Sequence, residues 1–301
     1  MARGDGGGKS GRRPGRTPTR PARGDPAPKQ PAAPDQAPGD GAERIAKRMA
    51  RAGVASRREA ERMIEEGRVR LNGKRLETPA ITVTLADRIE VDGKELAAPE
   101  PARLWRYHKP SGLVTTARDE QGRATVFDRL PPELPRVVSV GRLDLNSEGL
   151  LLLTNDGELK RRLELPSTGW LRKYRVRVHG APSEAALARL EKGIEVEGER
   201  FQPMTVNLDR QQGANAWLTI GLREGKNREI RRALSEVGLE VNRLIRVSYG
   251  PFQLGELATG AVEEVRAKVL ADQLGTRSPA KVGAAKPRRP KHPRSPAPAK
   301  R

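Results

Sequence analysis

Apolar positions recur along this chain at two spacings. From Ala42 to Gly67 they follow a helical period. Ile45 and Met49 share one face of a stretch that opens at Ala42-Glu43-Arg44 and ends near Gly53. Ser56 and Glu59 then form a capping box for a second helix, with Ala60, Met63 and Ile64 on its apolar side and a stop at Gly67. Beyond Gly67 the spacing shortens to alternation. Val69 and Leu71, an Asn72-Gly73 turn, Leu76, Ile81–Val83 and Ile89–Val91 read as small strands, closed by Asp92-Gly93. Ala97–Pro101 has no period and reads as a linker. Strands are then expected at Leu104–His108, after a Lys109–Gly112 turn at Leu113–Thr116, at Val137–Val140, at Leu150–Thr154, at Lys173–Val178 and at Trp217–Leu222. Helices are expected at Glu158–Leu165, at Pro182–Lys192, and along the Ile230, Leu234 and Val237 stripe that Gly238 ends. Leu150–Thr154 does not alternate, so both of its faces should be covered.

This order predicts an α+β chain. A module of two short helices and small strands spans residues 43–101. A mixed, mainly antiparallel sheet with helices at its sides spans 102–275. Residues 1–42 and 276–301 are rich in Gly, Pro, Ala, Lys and Arg, with almost no large apolar side chains, and are expected to be disordered. Two domains joined by a short linker should move relative to one another.

Composition narrows the class. The 301 residues carry a formal net charge of +20, which points to a polyanionic partner. No run is long and apolar enough for a membrane span or a signal peptide, so a cytoplasmic nucleic-acid-binding protein is expected. There is no cysteine, and His108, His179 and His292 lie far apart, so no metal site is expected. Arg44, Lys47, Arg48, Arg57, Arg58, Lys74 and Arg75 cluster in the first module. A solvated face would look the same, but this density of basic residues favours RNA contact.

The most suggestive chemistry sits between the two central strands. Val137 to Gly157 reads V-V-S-V-G-R-L-D-L-N-S-E-G-L-L-L-L-T-N-D-G, which places Asp144 in a connection held by two buried strands. Spacing alone permits an ordinary turn or cap residue. The run from Gly141 to Gly157, however, closely resembles the signature of the RsuA/RluB-type pseudouridine synthases, with Ser147 where that family usually has Thr. Tyr107 to Thr116 resembles the family's Y-H-K-P-x-G-L-V-T-T run. Glu224 to Arg232 resembles its E-G-K-N-R-x-I-R-R run, with Glu229 where Gln is common. Arg44 to about Leu96 looks like the α-L RNA-binding domain, which many such synthases share with a small-subunit ribosomal protein and some tRNA synthetases.

The resemblance implies catalytic roles for Asp144, for Tyr174 as a stacking platform, and for Arg231 as the partner of Asp144. Glu229 would add a negative charge nearby. Arg142, Lys226, Asn227 and Arg228 become candidates for holding RNA. The expected activity is isomerisation of uridine to pseudouridine in ribosomal RNA, a reaction that needs no cofactor, the large-subunit RNA being favoured, by a monomer. Two rivals remain: a non-catalytic RNA-binding factor for ribosome assembly on the same fold, and a hydrolase pairing Asp144 with Glu148 or Asp156.

Overall fold

The capping box at Ser56 forms as the sequence requires. The Ser56 hydroxyl accepts the Glu59 amide at 3.2 Å, and the Glu59 carboxylate accepts the Ser56 amide at 3.3 Å. The computed structural model describes residues 41–275, so the expectation of disordered tails lies almost wholly outside the described residues. The first module runs β1 (Glu43–Arg44), α1 (Ile45–Arg51), α2 (Arg57–Glu65), β2 (Val69–Leu71), β3 (Lys74–Arg75), β4 (Thr82–Val83), β5 (Ile89–Val91) and β6 (Lys94–Glu95). Glu43 and Arg44 do not open a helix. They pair with Val83 and Thr82, and α1 starts one residue later. A sheet of order β3-β2-β5-β6 packs on the two helices. Its core gathers Ile45, Met49, Ala60, Met63, Ile64, Val69, Ile89 and Val91. Asn72 and Gly73 both have positive φ, 51° and 81°, the conformation a two-residue hairpin turn demands.

The second module runs β7 (Leu104–Lys109), β8 (Val138–Val140), β9 (Glu148–Thr154), α3 (Gly157–Glu164), β10 (Arg172–His179), α4 (Glu184–Glu191), β11 (Ile194–Val196) and β12 (Glu199–Phe201). It continues with β13 (Thr205–Gln212), β14 (Asn215–Leu222), α5 (Glu229–Glu236), β15 (Glu240–Tyr249), β16 (Phe252–Gln253), β17 (Val262–Glu264) and α6 (Ala267–Leu274). Its main sheet has the order β13-β14-β10-β15-β9-β7-β17, with β16 beside β15 and β8 beside β9. Every pairing is antiparallel except β15 with β9. Leu113–Thr116 is not a strand of this sheet and contributes a single bridge, Val114 to Thr125. Asp156 does more than close β9. Its carboxylate caps α3 by accepting the amides of Glu158 and Leu159, at 2.8 and 2.7 Å.

The leucine run explains how the sheet is clothed. Leu151 and Leu153 face one core, with Val176, Leu218, Ile230 and Leu234. Leu150 and Leu152 face the other, with Leu159, Leu163, Tyr249 and Phe252. All four leucines are fully buried, each contributing about 1.5–3 kcal/mol of transfer free energy. Gly149 precedes them because nothing larger fits. Its φ is +100°, and a Cβ there would lie 2.3 Å from the carbonyl oxygen of Arg246, on the parallel neighbour.

The two modules meet through α1 and the start of α3. Lys47 pairs with Glu158, and Arg51 Nε lies 3.5 Å from Asp156. Both cations also face Glu43.

Candidate active site

Two loops build the site. The first, residues 141–147, joins β8 to β9. The Ser147 amide donates to the Asp144 carbonyl at 3.0 Å, which tightens the loop into a turn. Lys109, at the end of β7, is fully buried beneath it. Its ammonium donates to the carbonyls of Pro110, Asp144, Leu145 and Ser147, at 3.0, 3.2, 3.3 and 2.8 Å. Burial pulls the Lys109 ammonium down to about 8, against the opposing pull of Asp144 and Glu148. Thr115 Oγ1 donates to the Leu143 carbonyl at 2.8 Å. Arg231, on α5, donates to the Asn146 carbonyl at 2.9 Å and to Val241 on β15 at 3.0 Å. Asp144 thus stands on a loop whose carbonyls are held from three sides.

The second loop, residues 223–228, joins β14 to α5. Arg228 caps α5 in the left-handed conformation, φ 48°, which a side chain with a Cβ adopts at a cost of roughly 1–2 kcal/mol. Its guanidinium faces Asp144, with Nη1 3.8 Å from Oδ2. The expected pairing of Arg231 with Asp144 is therefore not found. Arg231 grips the loop's backbone, and Arg228 is the cation within ion-pair reach of the carboxylate. Arg228 also lies on the cap of α5, before the helix begins.

A cavity of about 290 Å³ opens where the loops meet. Asp144, Tyr174, Arg172, Leu222, Arg228, Leu244 and Arg246 are among its lining residues. Tyr174 is 8 % exposed, on the side of β10 that also buries Val176 and Val178. A second hollow, about 570 Å³, shares Arg142, Asp144, Lys226 and Arg228 with the first and adds Phe127, Lys160 and Asn227. Arg142, Asn227 and Arg228 are exposed. Lys226 is partly spent on Glu199, Glu224 and the Arg200 carbonyl. The carboxylate pairs imagined for a hydrolase do not assemble. Glu148 is held by Arg243 at 3.0 and 2.8 Å, Asp156 caps α3, and neither lines the cavity.

Residues 103–236 match the family model described as RNA pseudouridylate synthase, and residues 43–89 match the S4 domain. The chain is 46 % identical over 228 residues to an RNA pseudouridine synthase of Rickettsia felis, covering 76 % of this chain and 99 % of that one. It belongs to the RNA pseudouridine synthases. The "Ribosomal large subunit pseudouridine synthase B" of Salmonella typhi is 44 % identical over 225 residues, 70 % of this chain and 75 % of that one. A crystal structure of a pseudouridylate synthase superposes with a TM-score of 0.55 at 24 % identity, over 77 % of this chain and 99 % of the other, and shares the fold.

In this synthase the basic residues of the S4 domain divide into two groups. Arg44, Arg57, Arg58, Lys74 and Arg75 are exposed. Lys47 is turned to Glu43 and Glu158, and Arg48 is 6 % exposed. Lys47 and Arg51 are drawn inward by acidic partners at Glu43, Asp156 and Glu158, whereas the Arg48 guanidinium is buried with its Nε and Nη1 unpaired. Sequence reasoning overlooked Lys109, although the Y-H-K-P run contains it. Its neighbours in sequence gave no sign that its ammonium would reach under residues 144–147.

Glu229 differs from expectation as well. It is 3 % exposed, and burial, followed by the contact with Glu224, pushes its carboxyl up to about 8. Burial thus favours the neutral form of this carboxyl, the form that adds no negative charge to the site. Among the described residues no helix is long and apolar enough to cross a membrane.

Proposed function

We propose that this synthase isomerises uridine in ribosomal RNA, specifically large-subunit RNA, with Asp144 as the reacting carboxylate. The observation that carries the assignment is Asp144 itself, on a backbone-locked loop, facing Arg228 across a cavity walled by Tyr174. The likeness to proteins named for the large ribosomal subunit supports the choice of RNA. In the reaction the N1–C1′ bond breaks, the uracil turns over, C5 bonds to C1′, and C5 loses its proton while N1 gains one. Atoms balance with no redox step. Asp144 acts on the nucleoside as nucleophile or as proton acceptor. Arg228 offsets its charge, and Tyr174 stacks on the base for roughly 1–3 kcal/mol, which offsets the few kcal/mol of extrusion. Arg142 and Asn227 meet the flanking backbone, while Arg44, Arg57, Arg58, Lys74 and Arg75 hold the RNA outside the cleft. The enzyme acts as a cytoplasmic monomer.

The test is pseudouridine mapping on both ribosomal RNAs from cells lacking the gene, complemented with wild type or Asp144→Asn. One large-subunit site should vanish on deletion and return with wild type alone. Return with Asp144→Asn would replace this reading with that of an RNA-binding assembly factor.

A further inference from the structure

The loop that carries Arg228 is held by two carboxyl groups set against each other. Glu229 Oε2 accepts the Lys226 amide at 3.0 Å, while Oε1 is buried with no donor in reach. The carboxyl beside it is Glu224, within hydrogen-bonding distance of Glu229. Glu224 Oε1 accepts the Gln202 amide at 2.5 Å, and its Oε2 lies 3.6 Å from Lys226 Nζ. Two carboxylates in such a place repel each other. One proton held between them converts the repulsion into an O–H···O⁻ bond, and a protonated Glu229 can satisfy a buried oxygen that otherwise has no partner.

The surrounding charges leave that arrangement intact. Lys226 Nζ is shared with Glu199 on β12, 3.8 Å away. Arg232 on α5 is taken by Glu197 and Glu199. Arg172 on β10 donates to the backbone carbonyls of Arg223 and Glu224, not to either carboxylate. Arg228 faces Asp144, and Arg231 holds the other loop's backbone. Burial opposes ionisation of Glu224, but the hydrogen bonds from Glu229 and the Gln202 amide and the nearby Lys226 keep it below the usual carboxyl range. The proton therefore belongs to Glu229.

We propose that Glu229 is a proton-dependent positioning residue. As a neutral acid it ties the Lys226 amide to Glu224 and so fixes residues 225–228, with Arg228 in its left-handed conformation beside Asp144; its ionisation loosens that loop. The proposal rests on Asp144 being the reacting carboxylate. Glutamine in the same place makes both contacts, its carbonyl accepting and its NH₂ donating, with no proton to lose.

The experiment compares wild type, Glu229→Gln and Glu224→Gln in full-length enzyme, by kcat on a large-subunit RNA fragment and by Tm, across pH. With Glu229 at about 8, wild type should lose about fourfold in kcat between pH 6.5 and 8.5. Glu229→Gln should stay flat, which also controls for ionisation of the substrate uracil. Glu224→Gln should move the loss to lower pH. The Tm comparison does not depend on activity. The native state retains a proton that the unfolded chain releases near 4.5, so Glu229's contribution is full below that pH and lost as pH rises to about 8. Wild-type Tm should therefore fall relative to Glu229→Gln across that window. Parallel Tm curves, or the same alkaline loss of kcat in both proteins, would overturn the proposal. Inactivity of every protein with a Tm difference intact would instead fault the assignment of substrate or of Asp144.

Discussion

The two loops that meet at Asp144 are secured by opposite means. Residues 141–147 present carbonyl oxygens, and permanent or buried cations, Lys109 and Arg231, bind them from below and behind. Residues 223–228 present an amide N–H, and a carboxyl group binds it. The first arrangement places Asp144 rigidly and leaves its side chain at the cavity wall. The second places the neighbouring cation, in a strained conformation, through a group that titrates. A rigid loop at Asp144 facing a conditionally held loop at Arg228 lets proton state act on one side of the cavity alone.

The sharpest way to break this comparison is to remove the group the first loop presents. Asp144→Asn should lower kcat by on the order of 10³-fold or more while Tm stays at the wild-type value, as calorimetry beside an assay of tritium released from C5 of labelled uridine would show. A matching loss of Tm would make Asp144 a structural residue. Lys109→Met comes next. It strips a donor from four carbonyls at once, so stability should fall by about 2–4 kcal/mol and kcat with it, read by denaturant titration and single-turnover rates. Arg228→Gly separates the two loops most clearly. It relieves the left-handed strain, so stability should rise by roughly 1 kcal/mol, yet kcat should drop about tenfold for want of the cation beside Asp144. A rise in both would show that Arg228 serves neither charge nor chemistry. The smallest effects lie outside the cleft. Arg57→Gln with Arg58→Gln should weaken RNA binding several-fold and lower the salt slope by roughly two, whereas Lys47→Gln should leave that slope unchanged in filter-binding titrations.

Much of the fold was legible because local signals agreed with one another. The Ser56 capping box, the Asn72-Gly73 turn and the unbroken leucines of β9 each fix a backbone conformation with few neighbours needed. β15, at the centre of the sheet, was not legible. Its Glu-Val-Asn-Arg-Leu-Ile-Arg-Val-Ser-Tyr run mixes polar and apolar residues because its two ends face different surroundings, and a bulge in its pairing with β10 breaks the alternation. At the site, Asp144, Tyr174 and Arg228 were visible from their motifs and do line one cavity. The reassignment of Asp144's partner from Arg231 to Arg228 was not visible. It depends on the left-handed turn at position 228, which nothing in the motif announces. The withdrawal of Lys47 likewise depends on an acidic residue more than a hundred positions away, Glu158.

The single parallel pairing in the sheet has a consequence for how the enzyme comes into being. Arg246 Nε donates to the Leu150 carbonyl across 96 positions of chain, and Gly149 can be seated only once the Arg246 backbone lies against it. During synthesis β7, β8 and β9 emerge together and can pair, while the β15 edge of β9 waits for residues 240–249 to be made. Closing so long a loop is slow, so β15 is the step that turns an inert nascent chain into an enzyme. Until it docks, Arg231 has no Val241 to bridge to, and the two loops have no common frame.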